Sequence, residues 1–300
     1  MRSSPGGFAV PFAVCCAGVA LFSVMDAAMK GLSLSIGLYN ALFWRAVTGT
    51  LLGLVLMLLT RQCWPSRAVL RIHLLRGTVV ALMAALFFWA LMRMPLAEAI
   101  ALSFIAPLIA LYLAALLLKE SVGRQAILAS LLGLVGVGVI LSGRIAGVYN
   151  ADALMGAGAV LASAILFAWN LIIQRQQAQV ASPIEVAFFQ HLVMLGIFAL
   201  GAPFLLTLPP LRAAPLVLLA AGLAFTSLAA LSWAYARAEA QRLIPVEYSA
   251  FLWAAIMGWL AFGERLTLTT VAGALLIVAG CLIAARSKGA AVAHVEAGAA

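Results

Sequence analysis

Apolar residues fill most of the chain in long runs, and short polar segments interrupt them at regular intervals. A helix needs about 20 apolar residues to cross the hydrocarbon core of a bilayer. Measured against that length, the pattern predicts ten membrane-spanning helices, separated by charged or turn-rich segments such as RQCWPSR from Arg61 and KESVGR from Lys119. The predicted spans are 8–29, 37–60, 72–92, 97–118, 124–143, 153–174, 185–207, 214–236, 241–262 and 267–285. We therefore expect an all-α integral membrane protein.

Composition supports the membrane and excludes several other classes of protein. Hydrophobic residues make up 66% of the 300 residues and charged residues only 9%, with a mean hydropathy of +1.16, whereas a soluble domain is about 25% charged. The net charge of +9 does not indicate a nucleic-acid partner, because the basic residues separate apolar runs and form no patch with interleaved aromatic residues. The four cysteines include no CxxC pair, which favours small buried side chains over a disulfide or a metal site. No cofactor is expected.

The basic residues also predict the orientation in the membrane. With ten spans both termini share a side, and that side receives twelve Lys and Arg residues, including Arg76 and Arg237 near helix ends, against five on the other side. Cytoplasmic loops carry the excess of Lys and Arg. We predict a multi-pass inner-membrane protein with both termini in the cytoplasm. The first apolar run is too long for a cleavable signal peptide and is expected to be retained.

An internal repeat divides the spans into two halves. A shift of 144 residues places FWALMR, from Phe88, on SWAYAR, from Ser232. Each half, 8–143 and 153–285, contains five predicted spans, an odd number, so the second half must begin on the opposite side of the membrane. Two inverted five-helix repeats are characteristic of secondary transporters, whose substrate site lies near the midplane between the repeats. The Ala- and Gly-rich remainder, 286–300, is expected to be a flexible cytoplasmic tail.

Several segments carry a family resemblance. PLAEAIALSFIAPLIALYLAALLLKE, from Pro95 to Glu120, the Gly-rich LLGLVGVGVIL that follows it, and the GE corner at Glu264 resemble EamA-type transporters of the drug/metabolite transporter superfamily. FSVMDAAMK and FWR, which end at Lys30 and Arg45, resemble a branch that includes S-adenosylmethionine and riboflavin carriers and exporters of opine-type metallophores. The resemblance implies a secondary transporter.

Charged residues inside the apolar runs are the first candidates for a substrate site. Arg45 lies ~12 Å inside the second predicted span at 1.5 Å per residue, and an ionisable residue within a bilayer by default faces the bundle interior. It is a candidate to bind a substrate carboxylate or to form an internal ion pair. Asp26 and Lys30 share one helix face, where a local ion pair can lower the cost of both. They either form a pair at the outer mouth or line the cavity, with Asp26 available to a cationic group or a proton.

Other candidates are polar or aromatic residues within the spans. Gln190 occupies the position of Arg45 in the second half, beside His191, which is either a proton-exchanging group or a satisfied core residue. Asn170 is likewise either a substrate-binding residue or a structural one that hydrogen-bonds a neighbouring helix. Aromatic rings form either a stacking wall for the substrate or anchors at the membrane interface. The candidate substrate-binding residues are Asp26, Lys30, Arg45, Trp169, Asn170, Gln190, His191, Tyr248 and Trp253.

The expected function is secondary transport of a small organic metabolite by alternating access, with export favoured by the family resemblance. A zwitterionic, amino-acid-derived substrate, such as an opine-type metallophore, suits the charges. Two alternatives stay open: import of a cofactor-like metabolite, S-adenosylmethionine or riboflavin, and a non-transporting membrane assembly factor. An intramembrane enzyme is disfavoured, because the three histidines show no HxxxH or HExxH spacing and supply no catalytic set. Neither a catalytic nor a metal site is predicted, while proton coupling and a homodimer remain open.

Overall fold

The protein is a bundle of α-helices. A computed structural model describes residues 9–106, 108–109, 112–113, 124–145, 151–237, 246 and 249–286, and these residues contain no β-strand. The helices are α1 (Ala9–Ile36), α2 (Leu38–Leu59), α3 (Arg67–Leu91), α4 (Leu96–Ser103), α5 (Arg124–Ile145), α6 (Ala151–Val180), α7 (Pro183–Ala199), α8 (Ala202–Leu205), α9 (Ala214–Tyr235), α10 (Ala250–Phe262) and α11 (Leu268–Arg286), with a 3₁₀ turn at Leu211–Ala213. The prediction of an all-α protein is confirmed for the described residues.

Five of the described helical segments are long and apolar enough to cross a membrane: Val10–Ile36, Leu38–Leu59, Arg67–Leu91, Ala151–Val180 and Leu211–Tyr235. Shorter apolar segments lie at Leu131–Ser142, Pro183–Ala199, Ala250–Phe262 and Leu268–Gly280. The predicted fourth and ninth spans, 97–118 and 241–262, lie partly outside the described residues. The full set of ten spans therefore stays a prediction.

Local signals explain where several helices begin and end. The junction between α1 and α2 is Gly37, whose φ of 82° is one that residues with a Cβ avoid. α3 begins after Ser66, whose side-chain oxygen accepts a hydrogen bond of 3.4 Å from the amide of Val69, as an N-cap residue does. α10 ends at Gly263, a left-handed C-cap with a φ of 64°. These caps satisfy backbone groups at the helix ends and let the chain turn back into the bundle.

The helices pack in pairs that respect the internal repeat. Helices α1–α5 come from the first half, and α6, α7, α9, α10 and α11 are the corresponding five members of the second half. α1 packs on α9, α3 on α6, α2 on α7, α4 on α10 and α5 on α11. Exchanging the two halves converts the α1–α9 pair into the α3–α6 pair and leaves the other three pairs unchanged. The chain thus has a two-repeat architecture with a pseudo-twofold relation between the repeats.

The repeated segments FWALMR and SWAYAR form the same contact twice. The Arg93 guanidinium lies 3.5 Å from the centre of the Trp89 ring, and that of Arg237 lies 4.2 Å from the centre of the Trp233 ring. Each arginine also donates a hydrogen bond to the carbonyl of its own tryptophan, at 3.0 and 3.3 Å. A guanidinium over an indole face is a favourable cation–π arrangement. The two segments that align at a shift of 144 residues therefore also have the same side-chain geometry.

Close backbone contact joins α5 to α11. A Cβ on Gly136 would lie 2.7 Å from the carbonyl oxygen of Gly273, and a Cβ on Gly273 would lie 2.5 Å from that of Gly136. Only glycine allows two helices to approach this closely. Gly138 belongs to the same Gly-rich run, but a Cβ there would meet no atom within 4 Å. The run therefore contributes to helix contact at particular positions and not along its whole length.

Replacement of Gly136 by Ala is expected to push α5 away from α11 and to lower the free energy of unfolding by about 1–3 kcal/mol, the usual cost of overpacking. Gly138→Ala on the same helix is the matched control. It should be neutral or stabilising by up to about 1 kcal/mol, because alanine favours the helix over glycine and meets no neighbour. Thermal unfolding of both variants in one detergent makes the comparison. Equal stability of the two variants would contradict the backbone contact.

Candidate functional site

Three buried ionisable residues from both halves of the chain, Asp26, Arg45 and His191, lie near one another, and Gln190 precedes His191 in the sequence. Asp26 comes from α1, Arg45 from α2, and Gln190 and His191 from α7. Asp26, Arg45 and His191 expose only 4%, 5% and 1% of their surface. Each of the four residues has a buried side-chain atom without a hydrogen-bond partner: Asp26 Oδ1, Arg45 Nε, Gln190 Oε1 and His191 Nε2. Buried polar groups are normally hydrogen-bonded, so this group, the central cluster, is the candidate site.

Arg45 is the residue that connects the central cluster. Its charge interacts electrostatically with Asp26 on α1 and with His191 on α7. Its guanidinium also lies 5.7 Å from the centre of the Phe88 ring on α3. Within the described part of the chain, neither Asp26 nor Arg45 forms a direct ion pair. Both side chains therefore keep hydrogen-bonding capacity for another group.

The surroundings of His191 determine its tautomer. Nδ1 lies 2.8 Å from the carbonyl oxygen of Ala187, and a carbonyl only accepts, so Nδ1 carries the hydrogen. In the neutral ring Nε2 is then an acceptor, and it is the atom without a partner. The ring stacks on Phe225 with 6.1 Å between centroids. The ring also lies against Gly49, where a Cβ would overlap it. Since Gly49 is one helical turn after Arg45 on α2, the imidazole lies about one turn from the arginine along that helix.

Lys30 has different partners from those expected. Its Nζ atom pairs with Glu264 Oε1 and donates a hydrogen bond of 2.7 Å to the carbonyl of Met94. The other carboxylate oxygen of Glu264 accepts a hydrogen bond of 2.8 Å from the amide of Leu96. The expected local pair with Asp26 is therefore wrong, because a carboxylate from a distant loop reaches the ammonium group instead. Lys30 ties α1 to the segment before α4 and to the loop after α10.

A cavity of about 220 Å³ lies beside this ion pair. The start of α4, the loop between α10 and α11, and parts of α5 and α10 form its wall. Its polar lining includes Glu98, Glu264, Arg265 and Thr267. None of the four residues of the central cluster lines it, so the cavity and the cluster are separate features.

A second group of buried polar residues joins α3, α6 and α7. Arg76 donates from Nε to Asn170 Oδ1 at 2.9 Å and from Nη1 to Gln177 Oε1 at 2.5 Å. Gln177 Nε2 lies 2.6 Å from His73 Nδ1, and His73 Nε2 lies 2.9 Å from Glu185 Oε1. All five residues are buried. Unlike the central cluster, this five-residue network is a continuous chain of hydrogen bonds.

The five-residue network was not predicted from the sequence. Arg76, which the sequence predicts near a helix end, lies inside α3 and exposes only 3% of its surface. Asn170, a candidate substrate ligand, bonds Arg76 on a neighbouring helix. A usable signal was present, because His73 and Arg76 are three residues apart and Asn170 and Gln177 are seven apart, so each pair lies on one helix face.

The two aromatic candidates that the structure describes lie outside the buried interior. Trp169 and Trp253 expose 48% and 37% of their surface. Tyr248 lies outside the described residues. Among the residues that are described, no group of three or more His, Cys, Asp or Glu side chains could hold a metal ion.

These features define a class of protein. Two repeats of apolar helices, with unsatisfied charged groups buried where the halves meet, form the architecture of a multi-pass membrane transporter. The sequence matches the EamA-like transporter family over residues 10–142 and 154–286, once for each repeat. The chain belongs to the EamA-like transporter family, and the resemblance inferred from its motifs is confirmed.

Relatives agree with this assignment. The pseudopaline exporters CntI of Pseudomonas aeruginosa strains UCBPP-PA14 and ATCC 15692 are each 28% identical over 271 residues, which cover 89% of this chain and 93% of the relative. An uncharacterized transporter of Helicobacter pylori strain J99 is 29% identical over 213 residues, or 70% of this chain and 72% of the relative. The fold is also similar to that of a solved crystal structure, with a TM-score of 0.59 over 94% of this chain and 97% of the other chain. The sequence identity is 21%, so this similarity supports the fold alone. The family and these named relatives are transporters rather than enzymes.

The pair between Lys30 and Glu264 generates a stability prediction. Glu264→Gln is expected to lower the free energy of unfolding by about 3–5 kcal/mol, because it leaves the Lys30 ammonium buried without a counter-charge. Arg265→Gln, in the same loop but exposed, should change it by less than about 0.5 kcal/mol.

Adding Lys30→Met to Glu264→Gln should restore part of the loss, since no charge then stays buried. Thermal unfolding of the three variants in lipid nanodiscs measures these differences. If Glu264→Gln unfolds at the same temperature as Arg265→Gln, the ion pair does not contribute to stability.

Proposed function

We propose that the protein is a secondary transporter that exports a small zwitterionic, amino-acid-derived metabolite, such as an opine-type metallophore, by alternating access. The observation that carries the proposal is the buried carboxyl group and the buried guanidinium of the central cluster. Asp26 and Arg45 lie on different helices, are buried, and each has an atom without a hydrogen-bond partner. A substrate carboxylate would accept hydrogen bonds from Arg45, and a substrate ammonium group would donate to Asp26. Charge-assisted hydrogen bonds of this kind contribute about 1.5–3 kcal/mol each.

The second half supplies uncharged groups to the same site. His191 Nε2 and Gln190 Oε1 are both acceptors without partners, and they suit the hydroxyl or secondary amine groups of an amino-acid-derived compound. Gln190 stands 145 residues after Arg45, at the corresponding position of the other repeat. In this proposal the two repeats present different chemistry to one substrate, and the site lies between them as in other repeat-built transporters.

The proposed architecture has ten spans in two inverted repeats, 8–143 and 153–285, with both termini and the tail 286–300 in the cytoplasm. Rocking of the two repeats around the central cluster would expose it to each side in turn. Energy would come from a proton gradient or from the gradient of the substrate itself. The similarity to two pseudopaline exporters over most of the chain supports export and an opine-type substrate.

The direction and the substrate can be tested by metabolite profiling of cytosol and medium. A deletion strain is compared with strains that express the wild type, Arg45→Ala or Arg212→Ala. Arg212 is exposed on the 3₁₀ turn and serves as the matched control for loss of an arginine. We expect one compound to accumulate in the cytosol of the deletion strain and to be absent from its medium, with rescue by the wild type and Arg212→Ala only. Loss from the cytosol with retention in the medium would instead indicate an importer, and no difference among the strains would favour an assembly factor.

Arg45 and Asp26 generate a second measurement, with pseudopaline as the probe in inside-out membrane vesicles. Arg45→Gln and Asp26→Asn are each expected to lower uptake at least about tenfold, because one lost charge-assisted hydrogen bond corresponds to at least about 1.4 kcal/mol. Equal amounts of folded protein are confirmed by fluorescence-detected size exclusion. Uptake by both variants at the rate of Arg212→Ala would remove the central cluster from the substrate path.

A further inference from the structure

We propose that His73 is the binding site of the proton that drives transport. In this proposal, rotation of the Gln177 amide couples the protonation of His73 to the loss of a hydrogen bond from Arg76. The proton's role in driving transport rests on the proposed transport function, whereas the chemistry of the site rests only on the five-residue network. Nothing in the central cluster takes part in it.

Arg76 determines the orientation of the Gln177 amide. A guanidinium donates hydrogen bonds and cannot accept them, so the Gln177 atom 2.5 Å from Arg76 Nη1 is the carbonyl oxygen. The amide nitrogen of Gln177 therefore faces His73 Nδ1, at 2.6 Å. Since that nitrogen is a donor, Nδ1 must be the acceptor. His73 then carries its hydrogen on Nε2 and donates it to Glu185 Oε1 at 2.9 Å.

A proton added to His73 can only go to Nδ1, and there it would face the amide hydrogens of Gln177. Two donors cannot share a hydrogen bond, so the Gln177 amide must turn by about half a rotation to present its oxygen to Nδ1. The same turn points the amide nitrogen of Gln177 at Arg76 Nη1, which loses its acceptor. Protonation of His73 and release of Arg76 are thus a single event, in which one N–H bond forms and no other covalent bond changes.

Protonation of His73 changes the charge balance of the buried network. Among the residues that the structure describes, the charged groups that face the ring from the helices packed around it are Glu185 on α7 and Arg76 on α3. With a neutral ring the network holds one positive and one negative charge. With a protonated ring it carries one net positive charge in a buried place, which is costly unless water enters. The charged network therefore favours a conformation in which this end of the bundle opens.

The position of the network suits such a role, because it crosses the boundary between the two repeats. His73 and Arg76 belong to α3 in the first half, while Asn170 and Gln177 on α6 and Glu185 on α7 belong to the second half. The loops at this end also touch, since the Ser182 hydroxyl donates a hydrogen bond of 2.8 Å to Gln62 Oε1. Weakening the Arg76–Gln177 bond therefore loosens contacts that hold the halves together at this end.

His191 lacks these connections although it is equally buried. Its Nδ1 hydrogen bonds the carbonyl of Ala187 on its own helix, and its free Nε2 has no partner that must turn. Protonation of His191 would break no hydrogen bond between helices. His73 is therefore coupled to hydrogen bonds between helices, whereas His191 is a buried acceptor without such coupling.

Magic-angle-spinning NMR in lipid bilayers can test the relay without any substrate. The chain has three histidines, so a sample with ¹⁵N-labelled histidine and arginine gives few histidine signals, and His73→Gln and His191→Gln assign them. We expect the His73 ring at neutral pH to carry its hydrogen on Nε2. On acidification Nδ1 should become protonated, and the side-chain ¹⁵N signals of Arg76 should move with the same midpoint. The proposal would be overturned if the ring were protonated on Nδ1 at neutral pH, or if the Arg76 signals did not shift as His73 titrates.

Gln177→Met is the matched variant, since it keeps the length of the side chain and removes the amide. His73 should still titrate in this variant, but the Arg76 signal should no longer follow. In vesicles with pseudopaline as the probe, the wild type should respond to an imposed pH gradient and Gln177→Met should lose that response. Wild-type uptake that is independent of the gradient would overturn proton coupling while leaving export intact. Absence of any uptake, with the NMR result as expected, would count against the proposed substrate and leave the relay standing.

Discussion

Burial of charge is the constraint on which this bundle depends, because a charged group inside a bilayer is stable only when an opposite charge or hydrogen bonds replace its water. Lys30 meets this requirement through Glu264 and a carbonyl, and Arg76 meets it through two amide oxygens. Asp26 and Arg45 meet it only in part. The completeness of hydrogen bonding, rather than depth in the bundle, therefore distinguishes the charges that hold helices together from those available to a substrate.

The two repeats share a backbone plan but not their chemistry. Their helix pairs map onto one another when the halves are exchanged, and both Trp–Arg contacts recur with similar geometry. The buried charges do not follow this symmetry, since Arg45 corresponds to Gln190 in the second half. The helix packing is therefore close to symmetric, whereas the polar groups in the interior are not.

Much of the fold follows from the sequence because membrane helices are specified locally by runs of apolar residues. The same local contrast makes Arg45, Gln190 and His191 visible as candidates, because a polar residue stands out within such a run. The partner of Lys30 could not be predicted, since Glu264 is 234 positions away and no local rule connects them. The burial of Arg76 is hard to predict for a related reason. It follows Arg67 and Arg71, which makes the start of α3 look like a charged helix end, although its position inside the helix directs it inward.

The contact between Gly136 and Gly273 has a consequence for how such a protein diversifies. It joins α5 to α11, the last helices of the two repeats, and this pair is unchanged when the halves are exchanged. Because this contact is made by backbone atoms, side chains elsewhere in the bundle can change without altering it. Members of such a family can therefore differ in the residues that face a substrate while they keep the same contact between the last helices of the two repeats.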